Sequence, residues 1–203
     1  DLTVLVRIMV RNRHVMEAVE GSLSRFKAPL LRMGHWLNRN TQTGSRRNIE
    51  AHYDLGNEMF ELFLDPTMMY SSAYYPKPES TLEEASVAKL KRICDKLQLS
   101  SNDHVIEIGT GWGGFAIYAA SHYGCKVTTT TISREQHAMA ASRVAAAGLE
   151  DKITLLMEDY RDLEGQYDKL VSIEMIEAVG HQYLDTYFGK CSSLLKPEGI
   201  MLI

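Results

Sequence analysis

The richest set of chemically useful residues lies at 105–114, Val-Ile-Glu-Ile-Gly-Thr-Gly-Trp-Gly-Gly. An apolar run enters a glycine-rich turn at Gly109, Gly111 and Gly113, and a helix-forming stretch follows. Glycines at this spacing let the backbone turn sharply and let a ligand lie against it, while the helix start offers free N–H groups. The string also fits the dinucleotide pattern G-x-G-x-x-G, which alone discriminates little. Two neighbours discriminate better. Glu107 sits near the end of the strand, where a buried carboxylate is costly without a partner and can anchor a cationic ligand, such as the amino group of a methionine. A nicotinamide site needs an acid at the end of the next strand to hold the ribose. Here that strand ends Thr129-Thr130-Thr131-Ile132-Ser133, and Glu135 already falls in the following helix. The pattern favours S-adenosylmethionine over a dinucleotide.

Other candidates are sparser. Glu174 and Glu177 stand three apart, so a helical turn predicts both on one side, with Glu174 either a ligand for an amino group or an exposed acid at a helix start. His52, beside Tyr53 and Asp54, reads as a structural hydrogen-bonder rather than a general base. Cys94, Cys125 and Cys191 are odd in number and lack ligand spacing, which fits a reducing, cytoplasmic compartment. No set of His, Cys and carboxylates has metal spacing, so no metal is expected. The basic residues lack the aromatic interleaving of a nucleic-acid platform, so no nucleic acid is expected either.

The elements that must position these residues follow from periodicity. Strands are predicted near 104–108, 126–131, 153–157, 168–173 and 199–203, with helices near 113–123, 134–147 and 181–195. Such alternation predicts an α/β fold, a Rossmann-like parallel sheet with helices on both faces. Thr81–Leu97 predicts a further helix, capped by Thr81 with Glu83 and Glu84 in its first turn. Residues 1–40 read as helical, because Val15, Val19, Leu23, Phe26, Leu30, Met33 and Leu37 recur at spacings of three and four, with Pro29 as a kink. Arg11, Arg25, Arg32 and Arg39 lie at multiples of seven, as a solvated face or a membrane-facing one. A polar linker is expected at 41–47. The expected domains are therefore 1–47, a helical, basic remnant of an N-terminal domain, and 48–203, a cofactor-binding domain whose sheet is incomplete at its C-terminal end.

Charge divides along the same line. Residues 1–48 carry nine Lys/Arg against three Asp/Glu, net +6, and the remainder 13 against 23, net −10. The basic segment suits an anionic surface. No apolar stretch approaches the roughly 20 residues needed to span a bilayer, and no secretion signal is evident.

From His52 onward the sequence resembles the cyclopropane-fatty-acyl-phospholipid synthase family, through HYDLGN (52–57), FLDPTMMYSSAYY (63–75), VIEIGTGWGG (105–114), TISREQ (131–136), EDYRDL (158–163) and SIEMIEAVGHQY (172–183). The resemblance implies a class I methyltransferase dependent on S-adenosylmethionine. It implies that Tyr70 and Ser71 contact the methionine end of the cofactor above Gly109, Gly111 and Gly113. Thr131, Ile132 and Gln136 would hold the ribose side. Met157 and Glu158 would sit at the adenine, and Ile173 would wall the methyl group, with core packing the alternative for Met157 and Ile173. Glu177 is the implied catalytic residue, helping to hold a bicarbonate that removes a proton after methyl transfer. An alkene attacking a sulfonium methyl leaves a carbocation, so carboxylate and aromatic faces are wanted, and Tyr53, Tyr74 and Tyr75 could supply the latter.

The family's cysteine appears here as Ser72, which can still donate a hydrogen bond, and its EHVG as EAVG, with Ala178 for histidine. The implied activity is transfer of methyl to the cis double bond of an unsaturated phospholipid acyl chain, closing a cyclopropane at the inner membrane face, where the protein would be peripheral. Rivals are a methyl-branched product, an amine substrate, and a cofactor-binding protein without turnover. The N-terminal helices have two partners open to them, the membrane or a second copy in a homodimer.

Overall fold

The computed structural model describes residues 2–13 and 56–203. The chain divides into two units, Asp1–Gly44 and Ser45–Ile203. In the first, α1 (Leu2–Arg11) is described, with Val4, Leu5, Val6, Ile8, Met9 and Val10 exposed. The rest of the expected helical run, with Pro29, Arg25, Arg32 and Arg39, the 41–47 linker, and His52, Tyr53 and Asp54 lie outside the described residues.

The second unit runs α2 (Asn57–Glu61), α3 (Leu82–Leu97), β1 (His104–Ile108), α4 (Gly114–Tyr123), β2 (Lys126–Thr130), α5 (Arg134–Ala146), β3 (Ile153–Leu156), β4 (Tyr167–Val171), α6 (Ile176–Val179), α7 (Leu184–Leu194) and β5 (Leu195–Leu202). The described strands form one sheet in the order β3-β2-β1-β4-β5, every pairing parallel. A central parallel strand is covered on both faces, which is why β1 is buried from Val105 to Ile108.

Side chains of successive strand residues point to opposite faces. Val105, Val127, Ile153 and Val171 meet Leu90, Ile93, Cys94 and Leu97 of α3 and Phe115, Ala116, Ala119 and Ala120 of α4. Ile106, Ile108 and Leu170 meet Tyr187, Cys191 and Leu194 of α7 on the other face. The sheet therefore has helices on both sides, as alternation predicted. α3 starts where predicted: Thr81 accepts from Glu84 N–H at 3.2 Å, and Glu84 accepts from Thr81 N–H at 2.9 Å. This reciprocal capping satisfies two orphan donors of the helix start.

The largest departures from the periodic reading are at the starts of two elements. β5 begins at Leu195, four residues before the predicted 199, through Pro197 and Gly199. Its register against β4 jumps from Tyr167↔Leu195 to Lys169↔Ile200. A bulge on this last strand of the sheet order accommodates a proline that cannot donate to the ladder. α7 starts at Leu184 rather than 181, because 181–183 form a 3₁₀ turn. Among the described residues, no helix is long and apolar enough to cross a membrane.

Candidate functional site

The turn after β1 lies beside the β1/β4 boundary, where strand order reverses and open α/β sheets bind ligands. Its glycines adopt positive φ: 102° at Gly109, 51° at Gly111 and 84° at Gly113. A Cβ built at Gly111 would meet nothing within 4 Å, so the backbone here faces open space that a ligand can occupy. Gly114 is required for another reason. A Cβ there would lie 2.5 Å from the Thr67 carbonyl and 3.0 Å from Met69 Sδ, so residues 67–69 press directly onto the start of α4.

Glu107, next to this turn, is 2% exposed. Burial pushes its carboxyl up to about 8, opposed by a hydrogen bond with Thr129. Its Oε2 has no hydrogen-bond partner among the described residues. A buried carboxyl with one uncommitted oxygen is poised for a donor, and ionises readily once a donor or cation arrives.

β2 forms the adjoining wall. Thr128, Thr129, Thr130 and Thr131 are all buried, and each hydroxyl has a partner. Thr128 meets His104 Nε2 at 2.9 Å, Thr129 meets Thr110 at 2.7 Å, and Thr130 donates to the Glu158 carbonyl at 2.6 Å. Thr131 donates to Gln136 Oε1 at 2.9 Å and accepts from Ser133 N–H at 3.1 Å. Thr110, Thr129 and Glu107 thus form one hydrogen-bonded chain from turn to carboxyl. Thr131 and Gln136 are paired with each other, which fixes the Gln136 side chain and leaves its amide nitrogen as the donor it can offer. Ile132 is half-buried between them in sequence.

At the end of β3, Met157 is 40% exposed and Glu158 is exposed, so Met157 is not a core residue. Ile173, after β4, packs on the core face of α3 and α4. Glu177 is exposed in the first turn of α6 and has no hydrogen bond or ion pair among the described residues. The predicted helical pairing of Glu174 with Glu177 is corrected: α6 starts only at Ile176, and Glu174 sits before it with φ 47°. A left-handed residue cannot continue a right-handed turn.

A strap of residues 65–75 crosses this edge. Arg143 of α5 holds one end, donating from Nη1 to the Trp112 carbonyl at 2.7 Å and the Thr67 carbonyl at 3.2 Å, and from Nη2 to the Pro66 carbonyl at 2.7 Å. Burial lowers the Arg143 pKa, with Asp65 opposing. Aromatic packing joins three of the sequence motifs. Phe60 lies 4.8 Å from Trp112 and 5.3 Å from Tyr70 between ring centroids, and Trp112 Nε1 donates to Asn57 at 2.7 Å. At the other end, Ser72 N–H and hydroxyl donate to Glu174 Oε1 at 3.0 and 2.7 Å. Lys89 Nζ meets the same oxygen at 3.2 Å and also donates to Ser71 Oγ. Of the candidate aromatic faces, Tyr74 is covered by the Arg92 guanidinium at 4.7 Å, and Tyr75 is exposed.

The structure therefore gathers Glu107, the glycines, Thr131 and Gln136, and Ile173 at the ends of β1, β2 and β4, with Met157 and Glu158 beyond β3. Ser71 and Ser72 are tied to the β4 end, while Glu177 has no described link to them. Sequence reasoning missed Lys89 and Arg143. Arg143 left a signal: it falls three after Ala140 and seven after Gln136, on the buried face of α5. Lys89 left none. Among the described residues no group of His, Cys and carboxylates could hold a metal ion.

Comparison with known proteins fits this arrangement. The family model "Mycolic acid cyclopropane synthetase" matches residues 40–203. The cyclopropane-fatty-acyl-phospholipid synthase of Escherichia coli (strain K12) is 51% identical over 154 residues, 76% of this chain and 39% of that protein. Tuberculostearic acid methyltransferase UfaA1 of Mycobacterium tuberculosis (strain ATCC 25618 / H37Rv) is 44% identical over 166 residues, 78% of this chain and 39% of that protein. The chain thus spans about two-fifths of the length of these relatives. A crystal structure of mycolic acid cyclopropane synthase CmaA1, complexed with SAH and CTAB, superposes with a TM-score of 0.74 at 33% identity, covering 77% of this chain and 55% of that one. The fold is accordingly the Rossmann-like one of class I methyltransferases.

Proposed function

Because this chain belongs to the mycolic acid cyclopropane synthetase family, we propose that it is the cofactor-binding part of an S-adenosylmethionine-dependent methyltransferase. Its substrate in this reading is the cis double bond of an unsaturated phospholipid acyl chain, and its product a cyclopropane. The observation that carries the reading is the buried Glu107 carboxyl, with one uncommitted oxygen, beside a glycine turn that is open at Gly111. The residues present fit the cofactor: a carboxyl for its amino group, a bare backbone beneath it, and fixed polar side chains on the next strand.

The cofactor supplies a methyl group on a positively charged sulfur. The chain's own residues bind and orient it. Glu107, Gly109, Gly111, Gly113, Tyr70 and Ser71 would hold its methionine end, Thr131, Ile132 and Gln136 its ribose side, and Met157 and Glu158 its adenine. Exposure suits Met157 to this role, since an uncovered thioether at a strand end has no core to fill. Ile173 would wall the reacting methyl. Glu177 and Ser72 are the proposed catalytic residues. An exposed Glu177 carboxylate, unpaired among the described residues, is available to bind a proton acceptor such as bicarbonate, or to stabilise positive charge, on the side of the site where α6 begins. The basic segment of residues 1–47 would meet anionic headgroups at the inner membrane face, with 48–203 as the methyltransferase domain.

A second reading, a methyl-branched product, is favoured by one observation: the Ser72 hydroxyl is already committed to Glu174. Both readings are tested by giving the full-length methyltransferase liposomes of cis-unsaturated phospholipid and cofactor with a trideuterated methyl. Two deuteriums per added carbon, with no alkene left to hydrogenate, mean ring closure. Three mean a branched product. No labelled lipid sinks both.

A further inference from the structure

Glu174 stands apart in backbone and in partnership. It follows the end of β4 with φ 47°, a left-handed conformation that costs any residue with a Cβ. Such strain persists where the surroundings over-determine it, and it gathers at functional sites. The same side chain takes the N–H and hydroxyl of Ser72, 102 positions earlier in sequence, and the ammonium of Lys89, 85 positions earlier. Lys89 also reaches Ser71, so one ion pair grips two consecutive residues of the strap.

Resting on the methyltransferase reading above, we infer that Glu174 is a positioning residue: its carboxylate latches the Tyr70–Ser72 segment to the strand end that carries Ile173, so that segment and glycine turn present one surface to the cofactor. Nothing else described fastens Ser71 and Ser72. Arg143 holds the strap only at Pro66 and Thr67, and Tyr74 is fixed separately by its N–H on the Ala85 carbonyl at 3.2 Å. Burial raises the Glu174 carboxyl, but hydrogen bonds from Ser72 and Lys89 outweigh it and hold the group below its ordinary value. The latch therefore stays charged at neutral pH. The strain is the cost of aiming the side chain back across the sheet edge instead of into a helix that starts two residues later.

Glycine tells a latch from a prop. Glu174→Gly removes the carboxylate but relieves the left-handed strain, so the relief offsets the lost contacts in the stability of the fold. Glu174→Asp keeps a carboxylate on a residue type that tolerates positive φ. In the full-length methyltransferase, with S-adenosylmethionine and cis-unsaturated phospholipid liposomes, Glu174→Gly is expected to raise the cofactor KM on the order of tenfold. kcat should change by less, and the thermal midpoint should be equal or higher. Glu174→Asp is expected to recover most of the KM. An unchanged KM in Glu174→Gly overturns the inference, and so does a rise in KM matched by a lower thermal midpoint that Glu174→Asp also shows. If the unsubstituted chain binds no cofactor in calorimetry, the methyltransferase reading falls and takes this inference with it. Binding by that chain with an indifferent Glu174→Gly overturns the inference alone.

Discussion

The two flanks of the glycine turn are built differently. On the β2 side the threonines are buried, neutral and satisfied pairwise: Thr128 with His104, Thr129 with Thr110, Thr130 with the Glu158 carbonyl, Thr131 with Gln136. On the strap side the contacts are charged, partly exposed and distant in sequence, with Glu174 42% and Lys89 14% exposed at the side chain. Buried neutral pairs resist both salt and fluctuation, whereas an exposed ion pair is screened and worth little by itself. The difference separates a rigid floor, on which a ligand can be set with fixed geometry, from an adjustable rim that depends on its fastenings.

The comparison breaks most visibly at the strap's half-buried fastening, Arg143. Replacing Arg143 with Met leaves the carbonyls of Trp112, Thr67 and Pro66 without their cationic donor. Charged hydrogen bonds of this kind contribute about 1.5–3 kcal/mol each but not additively, so a loss of roughly 3 kcal/mol is expected in urea denaturation. A loss under 1 kcal/mol would mean that the strap is held by packing at Gly114 and Phe60 instead.

The floor has its own signature in pH. Glu107 is raised from 4.5 to about 8, so between those values the folded protein binds more protons at this site than the unfolded chain does. Its contribution to stability is therefore fullest below about 4.5 and declines as pH rises through about 8. The slope is at most about 1.4 kcal/mol per pH unit. Glu107→Gln should remove this decline in ligand-free protein, as read from denaturation midpoints across that range. A variant as pH-dependent as the original would assign the slope to other groups.

The smallest effect sharpens the contrast between supporting and ligand-facing residues. Met157→Ala, at an exposed strand end, should leave stability within about 0.5 kcal/mol while weakening cofactor binding by a few-fold. A clear loss of stability would return Met157 to the role of packing residue.

What the sequence discloses follows the same division. The floor is local in pattern: an apolar run surrounds Glu107, glycines stand at fixed spacing, and Thr81 and Glu84 form a capping signal, so strands, turn and helix start were all legible. The hydroxyl pairing of Thr128 and Thr129 was not, because a threonine's partner is chosen by strand register and not by its neighbours. The rim depends on geometry that periodicity does not carry. Glu174 and Glu177 have helical spacing, yet one residue in the left-handed region cancels it. Leu195 enters β5 early because a bulge absorbs Pro197. The Lys89–Glu174 pair joins residues 85 apart, and neither side chain looks unusual where it stands in the chain.

The most direct test of the central claim is calorimetric titration of S-adenosylhomocysteine into the full chain and into Glu107→Gln at pH 7. Binding by the former and affinity at least tenfold weaker in the variant are expected, because the Glu107 oxygen without a partner among the described residues would anchor the ligand's amino group. Equal affinity in the two proteins would contradict it, and would reduce Glu107 to a buried acid of the sheet.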